Sequence, residues 1–158
     1  MELDLSPLDK AERVAVIGIG SELRGDDSAG IKTVGLLKKK LDSLKVLLID
    51  TGTVPENFGS KIEEFNPSHI VIVDAVDMKE EPGVVKIIDP GKIVGEAMST
   101  HKLPLSIFIE YLQERVRVEI LIIGIQALRV GMGEEMTEEV RLSVESVAKT
   151  LSEKLGSL

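Results

Sequence analysis

Two adjacent carboxylates stand in a glycine-rich turn near the start of the chain. Asp26 and Asp27 lie within residues 18–30, which follow the apolar run 14–17 and precede an amphipathic pattern typical of a helix. In a nucleotide-binding fold this helix start would attract a phosphate, because its free N–H groups and its dipole favour anions. Here the two acids supply the negative charge, so they repel a pyrophosphate and offer hard oxygen ligands to a divalent cation. We therefore interpret the turn as metal-binding.

The candidate acids also have structural interpretations. Asp27 is equally compatible with an N-cap of the following helix and with a metal ligand, whereas Asp26 is better explained as a cap or a surface charge. Asp74 closes the buried-looking run 70–73, where neither a cap nor a turn requires an acid, and this favours a functional role. Asp77 lies further into the same turn and fits a solvated Asx-type turn residue.

The sequence contains two histidines and no cysteine. His69 stands at the start of a predicted strand, a place typical of a structural or neutral residue. His101 stands in a polar loop, where a ligand and a neutral residue are equally compatible with its position alone. Imidazole favours Ni, Zn, Cu or Fe over Mg or Ca. Without a cysteine or a Gly-x-Ser-x-Gly elbow, the common covalent nucleophiles are absent. Metal-assisted catalysis or the recognition of a metal ion remains.

Composition limits the class of protein. A chain of 158 residues with 43% hydrophobic residues predicts one compact domain with a full core. A net charge of −8 argues against a nucleic-acid-binding protein, which needs a basic face. The sequence shows neither a basic, apolar signal segment nor an apolar run of membrane-spanning length, so we expect a soluble protein that remains in the cytoplasm, without membrane insertion.

Short β-branched runs alternate with helical patterns, which predicts a single three-layer α/β domain. Its sheet is expected to be twisted, mixed and mostly parallel, with about five strands between helices. We predict strands at 13–19, 45–49, 70–74, 83–88 and 118–125, and helices at 28–41, 56–64, 104–115 and 137–155.

Two connections shape the expected site. The eight residues between Asp74 and Gly83 are too few for a parallel crossover, so the strand at 83–88 should be antiparallel. Residues 91–100 have the composition of a mobile loop beside His101. Because ligands bind outside the carboxyl ends of parallel strands, one cleft is expected to be bordered by Asp26 and Asp27, Asp74 and Asp77, His101, and residues 50–53.

Six ordered motifs carry a resemblance to a known family. They occupy residues 18–30, 50–57, 72–77, 81–90, 99–105 and 124–126. With these motifs the chain resembles the hydrogenase maturation endopeptidases over about residues 14–149. The similarity is greatest to the branch that processes the large subunit of formate hydrogenlyase-type, membrane-associated [NiFe] hydrogenases.

The resemblance implies a cytoplasmic protease that removes a C-terminal extension from the precursor of a [NiFe] hydrogenase large subunit after nickel insertion. The family's metal-binding and catalytic trio corresponds to Asp27, Asp74 and His101. The ion is expected to be the nickel of the substrate active site, for which other divalent ions can substitute. We expect a monomer in which residues 1–158 form a single hydrogenase maturation protease domain, with residues 1–12 as an N-terminal extension.

This chain departs from the family pattern at two places. Ala127 follows the Gly-Ile-Gln motif where relatives often have proline, and the first motif has Gly-Ser where many have Gly-Asn. Neither change affects the expected ligands. Two other functions are compatible with parts of the sequence: a non-proteolytic nickel or precursor-binding chaperone, and a Rossmann-type nucleotide enzyme. The Gly-x-Gly-x4-Gly spacing with two acids argues against the nucleotide enzyme.

Overall fold

A computed structural model of the protein describes residues 2–93 and 105–158. Its strands are β1 (Val14–Ile19), β2 (Val46–Gly52), β3 (His69–Val76), β4 (Val85–Ile88) and β5 (Glu119–Gln126). Its helices are α1 (Ala29–Lys40), α2 (Gly59–Phe65), α3 (Pro90–Ile93), α4 (Leu105–Arg115) and α5 (Glu138–Leu155). Short 3-10 turns occupy Ser6–Leu8, Gly25–Ser28 and Pro55–Phe58.

The five strands form one mixed sheet in the order β2-β1-β3-β5-β4. Strand β1 pairs in parallel with β2 and β3, and β3 pairs in parallel with β5. Strand β4 runs antiparallel to β5, as the short connection after Asp74 predicts. The carboxyl ends of β1, β2, β3 and β5 therefore meet at one edge of the sheet.

The sheet is covered on both faces, because successive strand residues point to opposite sides. Val14 and Val16 of β1 belong to a core that also contains buried residues of α1 and α5. Ala15 and Ile17 belong to the opposite core, together with buried residues of α2, α3 and α4. The expected three-layer α/β fold is thereby confirmed.

Helix α1 begins directly against the sheet. A Cβ atom on Gly30 would lie 2.2 Å from the carbonyl oxygen of Val73 and 2.4 Å from that of Ile19. Only glycine permits this approach, because any side chain would overlap the strand backbone. The close contact fixes the Gly25–Ser28 turn beside the end of β3.

The structure differs from the expectation in the segment after β4. Residues 91–93, the first part of the predicted loop, belong instead to helix α3. The Asp89 carboxylate accepts the Gly91 N–H at 3.0 Å and so starts a turn at this point. The remainder of that loop, with His101, lies outside the described residues. The N-terminal extension packs on the core, with Leu5 and Leu8 buried on the α5 side of the sheet. None of the helices in the described ranges is long and apolar enough to cross a membrane.

Candidate active site

Asp27 lies in the Gly25–Ser28 turn at the carboxyl edge of the sheet, and its side chain is buried. The N-cap position of α1 belongs to Ser28, so the N-cap interpretation of Asp27 is wrong. Ser28 does not cap the helix with its side chain, because its hydroxyl donates to the Gly25 carbonyl at 2.8 Å. The assignment of Asp27 as a metal ligand stays a prediction.

Asp74 lies within β3 and is completely buried. It pairs with Gly124 of β5, two positions before the end of each strand. Strand alternation puts Asp74 on the same face as Ile70 and Ile72, which belong to the core that includes α3 and α4. The Gly25–Ser28 turn contacts β3, so Asp27 and Asp74 are positioned by neighbouring elements at one sheet edge.

Asp26 is not the surface charge or cap that the sequence favours, because it is fully buried and its carboxylate holds a distant loop. Its Oδ2 accepts the N–H groups of Leu128 and Arg129, each at 2.9 Å. Its Oδ1 accepts the N–H of Thr137 at 2.7 Å, and the Thr137 hydroxyl lies 3.1 Å from either oxygen. These bonds replace the water that a buried carboxylate would otherwise need. Asp26 is therefore a structural residue beside the candidate ligand.

The turn itself requires glycine where it meets this loop. Gly25 has φ +55°, and a Cβ atom on it would lie 2.5 Å from the carbonyl oxygen of Arg129. The Asp26 N–H donates to that same carbonyl at 2.7 Å. The backbone of the acidic turn is thus held against the Arg129 carbonyl at Gly25 and Asp26.

Gln126, at the end of β5, organises the turn that follows β3. Its Oε1 accepts the N–H of Met78 at 2.6 Å and that of Glu80 at 3.3 Å. Its Nε2 donates to the Ala127 carbonyl at 2.9 Å and to Asp77 Oδ1 at 3.3 Å. In the sequence, Gln126 stands out only as part of a family motif, although a glutamine that closes an apolar strand itself indicates a polar role.

Asp77 forms the Asx-type turn that its position predicts. Its Oδ1 accepts the N–H of Lys79 at 3.0 Å. This backbone hydrogen bond, and after it the bond from Gln126, hold the pKa of Asp77 below its ordinary value of 3.8. Asp77 is exposed, so its carboxylate supports the turn and is separate from the buried acids.

The two histidines fall in different places. His69 begins β3 at the amino edge of the sheet, where Nδ1 lies 2.9 Å from the Ser68 hydroxyl and Nε2 lies 3.2 Å from a Glu119 carboxylate oxygen. These contacts are those of a structural residue far along β3 from Asp74. His101 lies outside the described residues. Within the described part of the chain, no group of three or more His, Cys, Asp or Glu residues could hold a metal ion.

The described site therefore consists of two buried carboxylates, Asp27 and Asp74, at the carboxyl edge of a parallel sheet. The hydrogen bonds of Asp26 and Gln126 support the turns beside them. Buried acids of this kind are costly unless they have partners, and they are frequent in clefts that bind cations or perform hydrolysis. The fold and site define an α/β protein with a pair of buried carboxylates at the carboxyl ends of its parallel strands.

Comparisons with known proteins give the family. Residues 31–154 match the family model described as hydrogenase maturation protease. A putative hydrogenase maturation protease of Methanocaldococcus jannaschii is 38% identical, with 99% of this chain and 96% of that protein aligned. The hydrogenase 3 maturation protease of Escherichia coli K12 is 37% identical, with 84% and 85% aligned. The crystal structure of the [NiFe] hydrogenase maturation protease HycI from Thermococcus kodakarensis KOD1 superimposes with a TM-score of 0.88 at 36% identity, covering 94% of this chain and 96% of that chain.

The chain belongs to the hydrogenase maturation protease family. The identification made from the six motifs is confirmed, and with it the assignment to the peptidases. The assignment of nickel recognition to Asp27, Asp74 and His101 stays a prediction.

Proposed function

We propose that this protein removes the C-terminal extension of a [NiFe] hydrogenase large-subunit precursor after nickel insertion, and that Asp27, Asp74 and His101 recognise the nickel. The observation that carries the proposal is the pair of buried acids at one sheet edge, in a chain 37% identical to the hydrogenase 3 maturation protease of Escherichia coli. Buried carboxylates on adjacent elements are suitable ligands for a divalent ion that the substrate brings.

The position of His101 in the chain supports its place in the trio. It belongs to the connection between α3 and α4, and Ile93 and Leu105 at the two ends of that connection are buried in the core on the Asp74 face. We therefore expect the imidazole to approach this edge. A nitrogen ligand beside two carboxylates favours nickel over magnesium or calcium.

In this proposal the nickel is part of the substrate. Two carboxylates and one imidazole leave coordination positions open. The same ligands are therefore suited both to binding the ion and to activating a water molecule on it. We further propose that the protein acts as a monomer in the cytoplasm, on a protein substrate and with no role for nucleic acid.

The decisive experiment mixes the purified protein with nickel-loaded and with nickel-free precursor and measures the mass of each large subunit. We expect the loss of a C-terminal peptide from the nickel-loaded precursor alone. Asp27→Asn and Asp74→Asn, which preserve shape and remove charge, should abolish that loss. Stable binding of precursor without any change of mass would instead support a non-proteolytic chaperone.

A further inference from the structure

Two loops at the carboxyl edge are joined into one rigid surface, which we call the paired loops (residues 21–28 and 128–137). The Gly133 N–H donates to the Leu23 carbonyl at 2.7 Å, and Arg24 Nε donates to the Val130 carbonyl at 3.0 Å. The buried Asp26 carboxylate adds the bonds to the second loop described above. This many long-range bonds hold the backbone of both loops in one arrangement.

The paired loops expose large apolar side chains. Leu23 is 67% exposed, Leu128 is 62% exposed and Met132 is 72% exposed. Across residues 2–93 and 105–158, seven large apolar side chains are exposed, so these two short loops carry three of them. Exposed apolar groups on a fixed backbone are typical of a protein interface, and methionine is enriched in such interfaces.

We propose that the paired loops are the docking surface for the large-subunit precursor, which they bind by apolar contact through Leu23, Leu128 and Met132. The proposal rests on the proposed function. Its occupant follows from continuity with the site: Asp27 is the next residue after Asp26, in the first of the two loops. A precursor whose metal centre reaches Asp27 must therefore lie against these loops.

The exposed charged side chains of the paired loops are mostly acidic. They are Glu22, Arg129, Glu134 and Glu135. Three acids against one base leave a net negative charge, so salt should screen only that charge contribution, whereas the apolar contact through Leu23, Leu128 and Met132 should persist at high salt. The matching surface of the precursor is expected to be apolar around the entrance to its metal centre.

The test compares Leu128→Ser/Met132→Ser with a control variant, Leu44→Ser. Leu44 is 93% exposed and precedes β2, at the opposite edge of the sheet. The dissociation constant is measured for nickel-free precursor, and KM and kcat for nickel-loaded precursor. We expect the double variant to weaken binding and raise KM about tenfold, with kcat and the melting temperature nearly unchanged. Leu44→Ser should match the wild type.

Unchanged KM and dissociation constant in the double variant would overturn the docking surface. An equal change in Leu44→Ser would also overturn it, because the effect would then be a general loss of surface apolarity. If the substitutions abolish self-association and leave precursor affinity unchanged, the surface binds a second copy of this chain instead. Where the affinity for nickel-free precursor is too low to measure, the KM for nickel-loaded precursor decides whether the paired loops bind the precursor.

Binding of nickel-free precursor does not require cleavage. Failure of the proposed function would therefore appear as binding without loss of the C-terminal peptide, and it would be distinguished from failure of docking.

Discussion

Asp26 and Thr137 join the acidic turn to the start of α5 across 111 residues of sequence. The Thr137 N–H and hydroxyl both donate to the Asp26 carboxylate. Thr137 occupies the N-cap position of α5, yet it makes no side-chain hydrogen bond to that helix. Its hydroxyl serves Asp26 instead, so the expected helix start is correct while the capping bond is replaced by a tertiary one.

Asp26→Asn should destabilise the protein by about 2–4 kcal/mol, because the amide NH2 would face backbone N–H donors that now have a carboxylate acceptor. Urea unfolding of both proteins measures the difference. Glu22→Gln, an exposed acid of the same loop, is the control and should change stability by less than about 0.5 kcal/mol. Equal stability of Asp26→Asn and wild type would show that the loop is held by other contacts.

Gly30→Ala should be strongly destabilising, by about 3 kcal/mol or more, because the new methyl group would lie 2.2 Å from the Val73 carbonyl oxygen. Gly35 lies in the same helix, and a Cβ atom on it would meet nothing within 4 Å among the described residues beyond its own helix backbone. Gly35→Ala should therefore stabilise the protein by about 0.5–1 kcal/mol through helix propensity. Thermal melting of the two variants gives the comparison, and a similar loss in both would contradict the close approach of α1 to the sheet.

Local patterns in the sequence were sufficient to predict the sheet, and its one antiparallel strand followed from the length of a connection. Strand β2 runs further than expected, to Gly52, although residues 50–52 have the composition of a turn. Asp50 and Gly52 pair with the end of β1, and the Thr51 hydroxyl donates to the Gly18 carbonyl at 3.2 Å. Pairing with β1 thus extends the strand beyond its local preference.

The roles of individual acids were less predictable, because the deciding partners are distant in sequence. Nothing near Asp26 indicates that Leu128, Arg129 and Thr137 will donate to it. Asp74 is different: an acid that ends an apolar run is visible locally, and its burial agrees with the functional interpretation. The Asx turn at Asp77 was likewise predictable, because its partner is two residues away.

His101→Ala should abolish processing of nickel-loaded precursor, because the proposed trio would lose its only nitrogen ligand. His69→Ala is the matched control, since His69 contacts Ser68 and Glu119 at the opposite sheet edge. It should process at the wild-type rate, with at most a modest loss of stability. Mass spectrometry of the precursor and thermal melting of each variant measure the two effects. Equal loss of activity in both variants would remove the distinction between ligand and structural histidine.

Gln126→Leu should raise the pKa of Asp77 towards 3.8 without restoring it fully, because the Lys79 N–H, the larger cause of the lowered pKa, remains. The lowered pKa means that folding favours the ionised carboxylate. Its support of the turn is therefore present above pH 3.8 and is lost as the pH falls through the lower folded-state pKa. Carbon NMR of the Asp77 carboxyl group measures the titration midpoint in the wild type and in Gln126→Leu. An unchanged midpoint in Gln126→Leu would show that the Gln126 bond to Asp77 is absent in solution.

Processing should fall as the pH is lowered through the histidine range. Imidazole binds metal only when neutral and has an unperturbed pKa of about 6.5, whereas carboxylates remain ligands to about pH 4. Acid should therefore weaken the proposed site first through His101, and initial cleavage rates of nickel-loaded precursor between pH 5 and 8 measure the decline. If the nickel arrives only within the precursor, added nickel will not restore the rate at low pH. Restoration by free nickel would instead indicate an exchangeable ion. Efficient cleavage of nickel-free precursor in the presence of a strong chelator would contradict both forms of nickel recognition and would require a catalytic group outside the trio.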